Sequence, residues 1–178
     1  DEANRLLDRS AHRKDTSYVL LHNLMAGSAL RLHREELADR YIRDGLAVDD
    51  NPHLYNTRAA IYRQMGRLDE ALEAVNHAIL LQGDAAEFYR TKAVLLFSLE
   101  RFDELREMFN NILTTPGFQR LRRQYEGGMA WREGDYVAGE QNLEAAIAMD
   151  PRQPDAYFDL AMMFKAQGKH DKVIDSLE

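Results

Sequence analysis

The sequence contains no cysteine and no long apolar run. Without cysteine, the chain has no disulfide, no Cys-ligated metal site and no thiol nucleophile. The same absence is compatible with the cytoplasm and with the periplasm, so the compartment stays open. Because no stretch approaches the roughly 18 apolar residues that a membrane span needs, we expect no transmembrane helix in this chain.

Basic side chains are too few to favour nucleic acid as a partner. The 23 Lys and Arg residues are outnumbered by 30 Asp and Glu residues, which gives a net charge of −7. A nucleic-acid binder needs a basic surface that displaces counterions from phosphates, so we predict no nucleic-acid partner. The short basic run Arg120, Arg122 and Arg123 is a solvated face or, alternatively, a site for an acidic segment.

Motifs that carry catalysis or bind cofactors are also missing. The six histidines form no His-Glu-x-x-His pair, and we interpret them as scattered surface residues. Gly127-Gly128 is not followed by the residues of a phosphate-binding loop. The paired carboxylates, such as Asp69 with Glu70, stand where a helix is expected to begin, and there they favour the helix dipole. We therefore predict no enzyme activity, no cofactor and no metal.

A repeat with a period of 34 residues dominates what the sequence does contain. Similar six-residue segments begin at Gly66, Glu100, Gly134 and Gly168. Seven residues before each of these positions stands a small residue, which would let two helices approach closely. These small residues are Ala59, Ala93, Gly127 and Ala161. Apolar residues at three- and four-residue spacing flank each segment, and alternation typical of strands is absent, so the pattern predicts an all-α protein of helix hairpins.

The repeat resembles the tetratricopeptide repeat family. The unit from Pro52 carries the family pattern through Tyr55, Ala59, Tyr62, Gly66, Ala71, Val75 and Ala78. Two departures are Glu100, which replaces the turn glycine, and Arg123, which stands where an aromatic residue is usual. The resemblance implies a right-handed superhelical α-solenoid of antiparallel helix hairpins with a 34-residue repeat.

The repeat also predicts the organisation of the chain. We expect residues 1–17 to be the second helix of a preceding repeat or an N-terminal cap, and residues 18–51 to be a divergent hairpin whose register is displaced by one. Full repeats are expected at 52–85, 86–119 and 120–153, with a truncated one at 154–178. We expect the chain to be a piece of a longer protein, with Leu177-Glu178 either native or left from a vector.

In proteins of this family the first helix of each hairpin lines a concave groove that holds a partner. The resemblance places these residues in such a groove: Asn56, Arg63, Arg90, Phe97, Gln124, Tyr125, Trp131, Phe158, Asp159, Met162 and Lys165. Phe97, Tyr125, Trp131 and Phe158 would form an apolar strip, because aromatic side chains contribute strongly to interfaces. The alternative is that Trp131 and Phe97 pack between helices.

The implied function is an interaction scaffold or adaptor that binds a peptide or helix of a partner protein in this groove. The Lys, Asn, Asn, Lys, Arg clamp of co-chaperones that hold acidic chaperone tails is absent from the matching positions. Two alternatives remain open. The chain could be a spacer or self-assembling element of an envelope, secretion or pilus machine, with weak self-association through exposed solenoid ends. It could also be the non-catalytic helper region of a multidomain enzyme.

Overall fold

A computed structural model describes residues 16–112, 116–152 and 154–175. In these ranges the chain forms ten α-helices and no strand, so the predicted all-α class is confirmed. The predicted helix or cap within residues 1–17 lies almost wholly outside the described residues, as does Leu177-Glu178. The helices are α1 Thr16–Arg31, α2 Glu35–Leu46, α3 Pro52–Gln64, α4 Leu68–Leu81, α5 Ala86–Ser98, α6 Phe102–Asn111, α7 Pro116–Arg132, α8 Tyr136–Met149, α9 Pro154–Ala166 and α10 His170–Asp175.

Each hairpin turn contains one residue in the left-handed region of backbone conformation. Gly66, Gly134 and Gly168 have φ values of 76°, 90° and 72°. Glu100 has the same conformation, with φ 56°, although it carries a side chain. His33 is a fifth example, with φ 53°, and it lies 33 residues before Gly66. The one-residue displacement of the first hairpin is therefore located between these two turns.

Helix starts follow from local chemistry. Pro52, Pro116 and Pro154 are the first residues of α3, α7 and α9, where the missing N–H of proline is not needed. Asn51 caps α3 by accepting a hydrogen bond from the backbone N–H of His53 at 3.0 Å. Asp135 caps α8 in the same way, accepting from the N–H of Ala138 at 3.0 Å.

The chain divides into two compact units, with the boundary between Leu99 and Glu100. In the first unit, the core lies between the first and second helices of each hairpin, where Ala59, Ala71 and Val75 are fully buried. A Cβ added at Gly45 of α2 would lie 2.9 Å from a methyl carbon of Leu54 in α3. Small residues therefore let successive helices of this unit pack closely.

The interpretation of the histidines as surface residues is wrong for His22, which is 2% exposed. Its Nδ1 donates a hydrogen bond to the carbonyl oxygen of Tyr18 at 2.9 Å. The imidazole ring lies 4.0 Å from the ring of Tyr18 and 6.4 Å from that of Tyr41, between centroids. Aromatic packing and a local backbone acceptor together account for its burial.

In the second unit, the core is a cluster of Leu143, Leu160, Met163 and Phe164. A Cβ added at Gly127 of α7 would lie only 2.7 Å from Cγ of Leu143 in α8. The expected close approach at this position is therefore confirmed, and it positions α7 beside α8 and α9.

Candidate partner-binding faces

In the first unit, the first helices of successive hairpins are joined by polar contacts. Nδ1 of His53 in α3 lies 2.7 Å from Oε1 of Glu87 in α5. The hydroxyl of Thr57 in α3 donates to Oδ1 of Asn23 in α1 at 2.5 Å. We call the surface that carries these four residues the first-unit face. Much of its hydrogen-bonding capacity is already used within the chain.

The predicted groove residues of the first unit differ in exposure. Arg63 and Arg90 are exposed, and Phe97 is half-buried. Asn56 is also half-buried, and its side-chain oxygen is buried without a hydrogen-bond donor among the described residues. A buried amide oxygen without a donor is an unfavourable arrangement that a donor from a partner would relieve.

In the second unit, α7 and α9 are the first helices, and they meet through a hydrogen bond. Nε2 of Gln124 in α7 donates to Oδ2 of Asp159 in α9 at 2.9 Å. On the same side of α9, Phe158 is 61% exposed and Met162 is 36% exposed. Lys165, further along α9, is also exposed. We call the surface formed by these five residues the second-unit face.

Tyr125 and Trp131 point towards the protein interior more than the sequence suggests. The ring of Tyr125 lies 6.1 Å from that of Phe109, between centroids. Trp131 is half-buried and packs against the core cluster of the second unit. Both residues therefore contribute to packing as well as to the surface, which fits the alternative that Trp131 packs between helices.

Asp159 has an unusual environment for a carboxylate on this face. Burial raises its pKa, while the hydrogen bond from Gln124 lowers it. The negative charge of Asp155 raises the pKa further, and the positive charge of Arg132 lowers it. The net effect is a raised pKa, because loss of hydration disfavours the charged form.

Three residues of these faces were missed by the sequence prediction. Leu20 and Leu24 of α1 are 57% and 60% exposed, and they lie 33 residues before His53 and Thr57. Glu87, the partner of His53, was not selected either. The displaced register was visible in the sequence, and subtracting 33 instead of 34 would have found both leucines.

Two further clefts lie in the first unit. One, of about 300 Å³, lies between α1 and α2 and is lined mainly by apolar side chains, including Leu24, Met25 and Leu37. The other, of about 260 Å³, lies between α3 and α4 and is polar. In the polar cleft, Nε of Arg58 donates to the hydroxyl of Tyr62 at 2.9 Å, so the lining is already paired in part.

Metal and membrane sites were also sought. Across residues 16–112, 116–152 and 154–175, no group of three His, Asp or Glu side chains is placed to hold a metal ion. The same parts of the chain contain no helix with the length and apolar character to cross a bilayer.

Comparison with known proteins places these repeats. Models described as "Tetratricopeptide repeat" match residues 52–84 and residues 129–175. No curated protein matches the sequence significantly.

Solved structures share the fold. PilW, a "widely conserved type IV pilus biogenesis factor", is 22% identical, with a TM-score of 0.76 over 92% of this chain and 77% of that one. A tetratricopeptide repeat protein from Parabacteroides merdae is 17% identical, with a TM-score of 0.74 over 96% of this chain and 68% of that one. YrrB, "a TPR protein with an unusual peptide-binding site", is 14% identical, with a TM-score of 0.66 over 99% of this chain and 89% of that one.

At these identities the structural likeness shows the fold alone. Together with the two repeat matches and the recurring helix hairpins, it defines an all-α helical repeat solenoid of the kind that serves as a protein-interaction scaffold. The chain is a tetratricopeptide repeat protein. Proteins of this family are generally non-catalytic and bind protein or peptide partners.

Proposed function

We propose that the protein is an adaptor that holds a peptide or helix of a partner protein against the first helices of its repeats. The second-unit face is the main contact surface. It offers exposed apolar side chains between polar groups, which is the composition of a small interface core with a polar rim.

The observation that carries this proposal is the exposure of Phe158 and Met162 on α9. They are four residues apart, so their side chains lie on the same side of the helix. Each leaves apolar surface in water that a partner would cover, and burying such a side chain fully contributes about 1.5–3 kcal/mol. The first-unit face is less suited to apolar contact, because His53, Thr57 and their partners are polar.

A capture experiment tests the proposal. The protein is immobilised and exposed to lysate of its source organism, next to the double variant Phe158→Ala with Met162→Ala. The matched control is Leu80→Ala with Val137→Ala, since Leu80 and Val137 are 80% and 69% exposed but lie on second helices. Tyr125 and Trp131 are left unchanged because their truncation would disturb packing.

We expect mass spectrometry to identify proteins that the native chain and the control retain and the α9 variant loses. Circular dichroism should show the same helical signal for all three proteins, since every substituted side chain is exposed. Equal retention by the α9 variant and the native chain would contradict the assignment of the second-unit face.

Self-association is a second candidate function, favoured by the apolar cleft between α1 and α2. Leu24 and Leu32 border this cleft and are 60% and 68% exposed. A second copy of the chain could cover them, as stacking of repeat ends does in solenoids. PilW belongs to pilus biogenesis, where assembly is a plausible role for a repeat protein.

Sedimentation across a range of concentrations tests this candidate. We expect the average mass of the native protein to rise with concentration and that of Leu24→Glu with Leu32→Glu to stay at the monomer value. A constant monomeric mass for the native protein would rule out self-association in that range.

A further inference from the structure

The carboxylate of Asp159 lacks a cationic partner. Its Oδ2 accepts one hydrogen bond, from the neutral amide of Gln124. Among the described residues, no Lys, Arg or His forms an ion pair with it. A carboxylate that has lost part of its hydration is costly unless a positive charge or several donors replace the lost water.

The nearby cations are directed elsewhere. Nη1 of Arg120 donates to Oε1 of Gln124 at 3.3 Å, which fixes the amide that bonds Asp159. Nη1 of Arg132 donates to Oε1 of Glu100 at 3.0 Å. The chain therefore orients the carboxylate of Asp159 without neutralising it.

Exposed apolar side chains flank this carboxylate. Phe158 precedes Asp159 directly, and Met162 follows it by one helical turn. Both are exposed, while Asp159 itself is partly buried. A side chain with an apolar stem and a charged tip could cover the apolar groups and reach the carboxylate at once.

We propose that the second-unit face selects a partner segment in which a Lys or Arg side chain pairs with Asp159 and neighbouring apolar side chains cover Phe158 and Met162. The proposal rests on the proposed function, since it names the chemistry of the segment held on this face. Arg suits the position particularly well, because its guanidinium is weakly hydrated and can donate while Gln124 keeps its own bond. The net charge of −7 would also favour the approach of a basic segment.

Selection from a displayed library of random short peptides tests the proposal on the whole chain. The native protein is compared with Asp159→Asn, with the double variant Phe158→Ala and Met162→Ala, and with a matched control, Glu144→Gln. Glu144 is an exposed carboxylate on α8, so its variant loses the same charge away from the face.

We expect peptides selected by the native protein and by the control to be enriched in Lys or Arg next to apolar residues. The best peptide should bind Asp159→Asn about tenfold more weakly, which corresponds to loss of one partly desolvated charge pair. Replacing its basic residue with an uncharged isostere should weaken binding to the native protein by a similar factor and hardly change binding to Asp159→Asn.

The outcomes separate this inference from the proposed function. Peptides that need Phe158 and Met162 but show no basic preference, or that bind Asp159→Asn equally well, would overturn the inference and leave the binding face in place. A selection that yields no peptide sensitive to the α9 double variant would overturn both.

Discussion

The hairpin of α3 and α4 in the first unit and the hairpin of α7 and α8 in the second use different small residues at the same two repeat positions. The first has Ala59 and Ala71, both fully buried. The second has Gly127 and Gly139. A Cβ at Gly127 would lie 3.1 Å from the carbonyl oxygen of Gly139, so no methyl group fits there without movement of the helices.

This difference shows that one sequence rule covers two packing solutions. A glycine inside a helix costs about 1 kcal/mol relative to alanine. The second hairpin accepts that cost at Gly127, where the backbone of one helix approaches Leu143 and the backbone of the other. The first hairpin keeps both alanine methyl groups as part of its core.

The substitution Gly127→Ala should have the largest effect among these comparisons. Overpacking costs about 1–3 kcal/mol, and the gain in helix propensity returns about 1 kcal/mol, so we expect a net loss of about 1–2 kcal/mol in the free energy of unfolding. Urea unfolding followed by circular dichroism measures it.

The matched control is Gly27→Ala in α1, where an added Cβ would meet no atom within 4 Å. This variant should be more stable than the native protein by about 0.5–1 kcal/mol, because only the helix propensity changes. If both glycine variants were equally stabilising, the close packing at Gly127 would not hold.

The fold was largely predictable because the repeat positions have strong local causes. Prolines open α3, α7 and α9, and small residues recur at a fixed distance before each turn. The turn at His33 was missed, since a histidine gives no signal for a left-handed backbone conformation. The burial of His22 was also missed, because aromatic neighbours on α1 and α2 decide it and not the residue type.

The hairpin turns extend the comparison, since each unit contains one turn residue other than glycine. Glu100, with φ 56°, is expected to be strained by about 1–2 kcal/mol, and a glycine there would lose about 0.4–1 kcal/mol in conformational entropy. Glu100→Gly should therefore be more stable than Glu100→Ala by about 0.5–1 kcal/mol. Thermal and urea unfolding of the two variants measure the difference.

Comparison with Glu100→Ala removes the effect of the lost ion pair with Arg132, since both variants lack it. The converse test is Gly134→Ala, at a φ of 90°, which should be less stable than the native protein. Equal stability of Glu100→Gly and Glu100→Ala would mean that this turn stores no strain.

The candidate binding faces were less predictable than the fold. Phe158 and Met162 are exposed, but the sequence alone could not separate them from Trp131, which packs partly against the core cluster. Helix spacing fixes which residues share a side of a helix, and the depth of each side chain depends on the neighbouring helices. The cross-helix bond between Gln124 and Asp159 has the same origin.

Asp159 and Thr57 occupy the same repeat position, and only Asp159 titrates. Because burial raises its pKa, the unfolded chain loses this proton first as pH rises above the ordinary Asp value of about 3.9. The native state then binds more protons than the unfolded state, so stability falls until pH passes the raised pKa. Asp159→Asn should remove this loss, and Asp155 and Arg132 modulate it.

Urea unfolding at a series of pH values checks this expectation. The variant and the native protein should be similarly stable in acid, and the variant should be the more stable of the two at neutral pH. Asp155→Asn, on the exposed side of α9, is the control for general charge effects. A constant difference between Asp159→Asn and the native protein at every pH would contradict the burial effect.

Ion pairs between successive hairpins give the smallest expected difference. In the first unit Nε of Arg58 lies 3.8 Å from Oδ1 of Asp39, and in the second Nη2 of Arg106 lies 2.7 Å from Oε1 of Glu133. Because Arg106 and Glu133 are both exposed, a double-mutant cycle with alanine should give a coupling of only about 0.2–1 kcal/mol. At about 1 M salt, where the screening length is ~3 Å, that coupling should shrink further. A coupling that persisted unchanged in salt would show that the pair is shielded from solvent, and the short contact in the second unit would then contribute to stability where its exposure predicts that it does not.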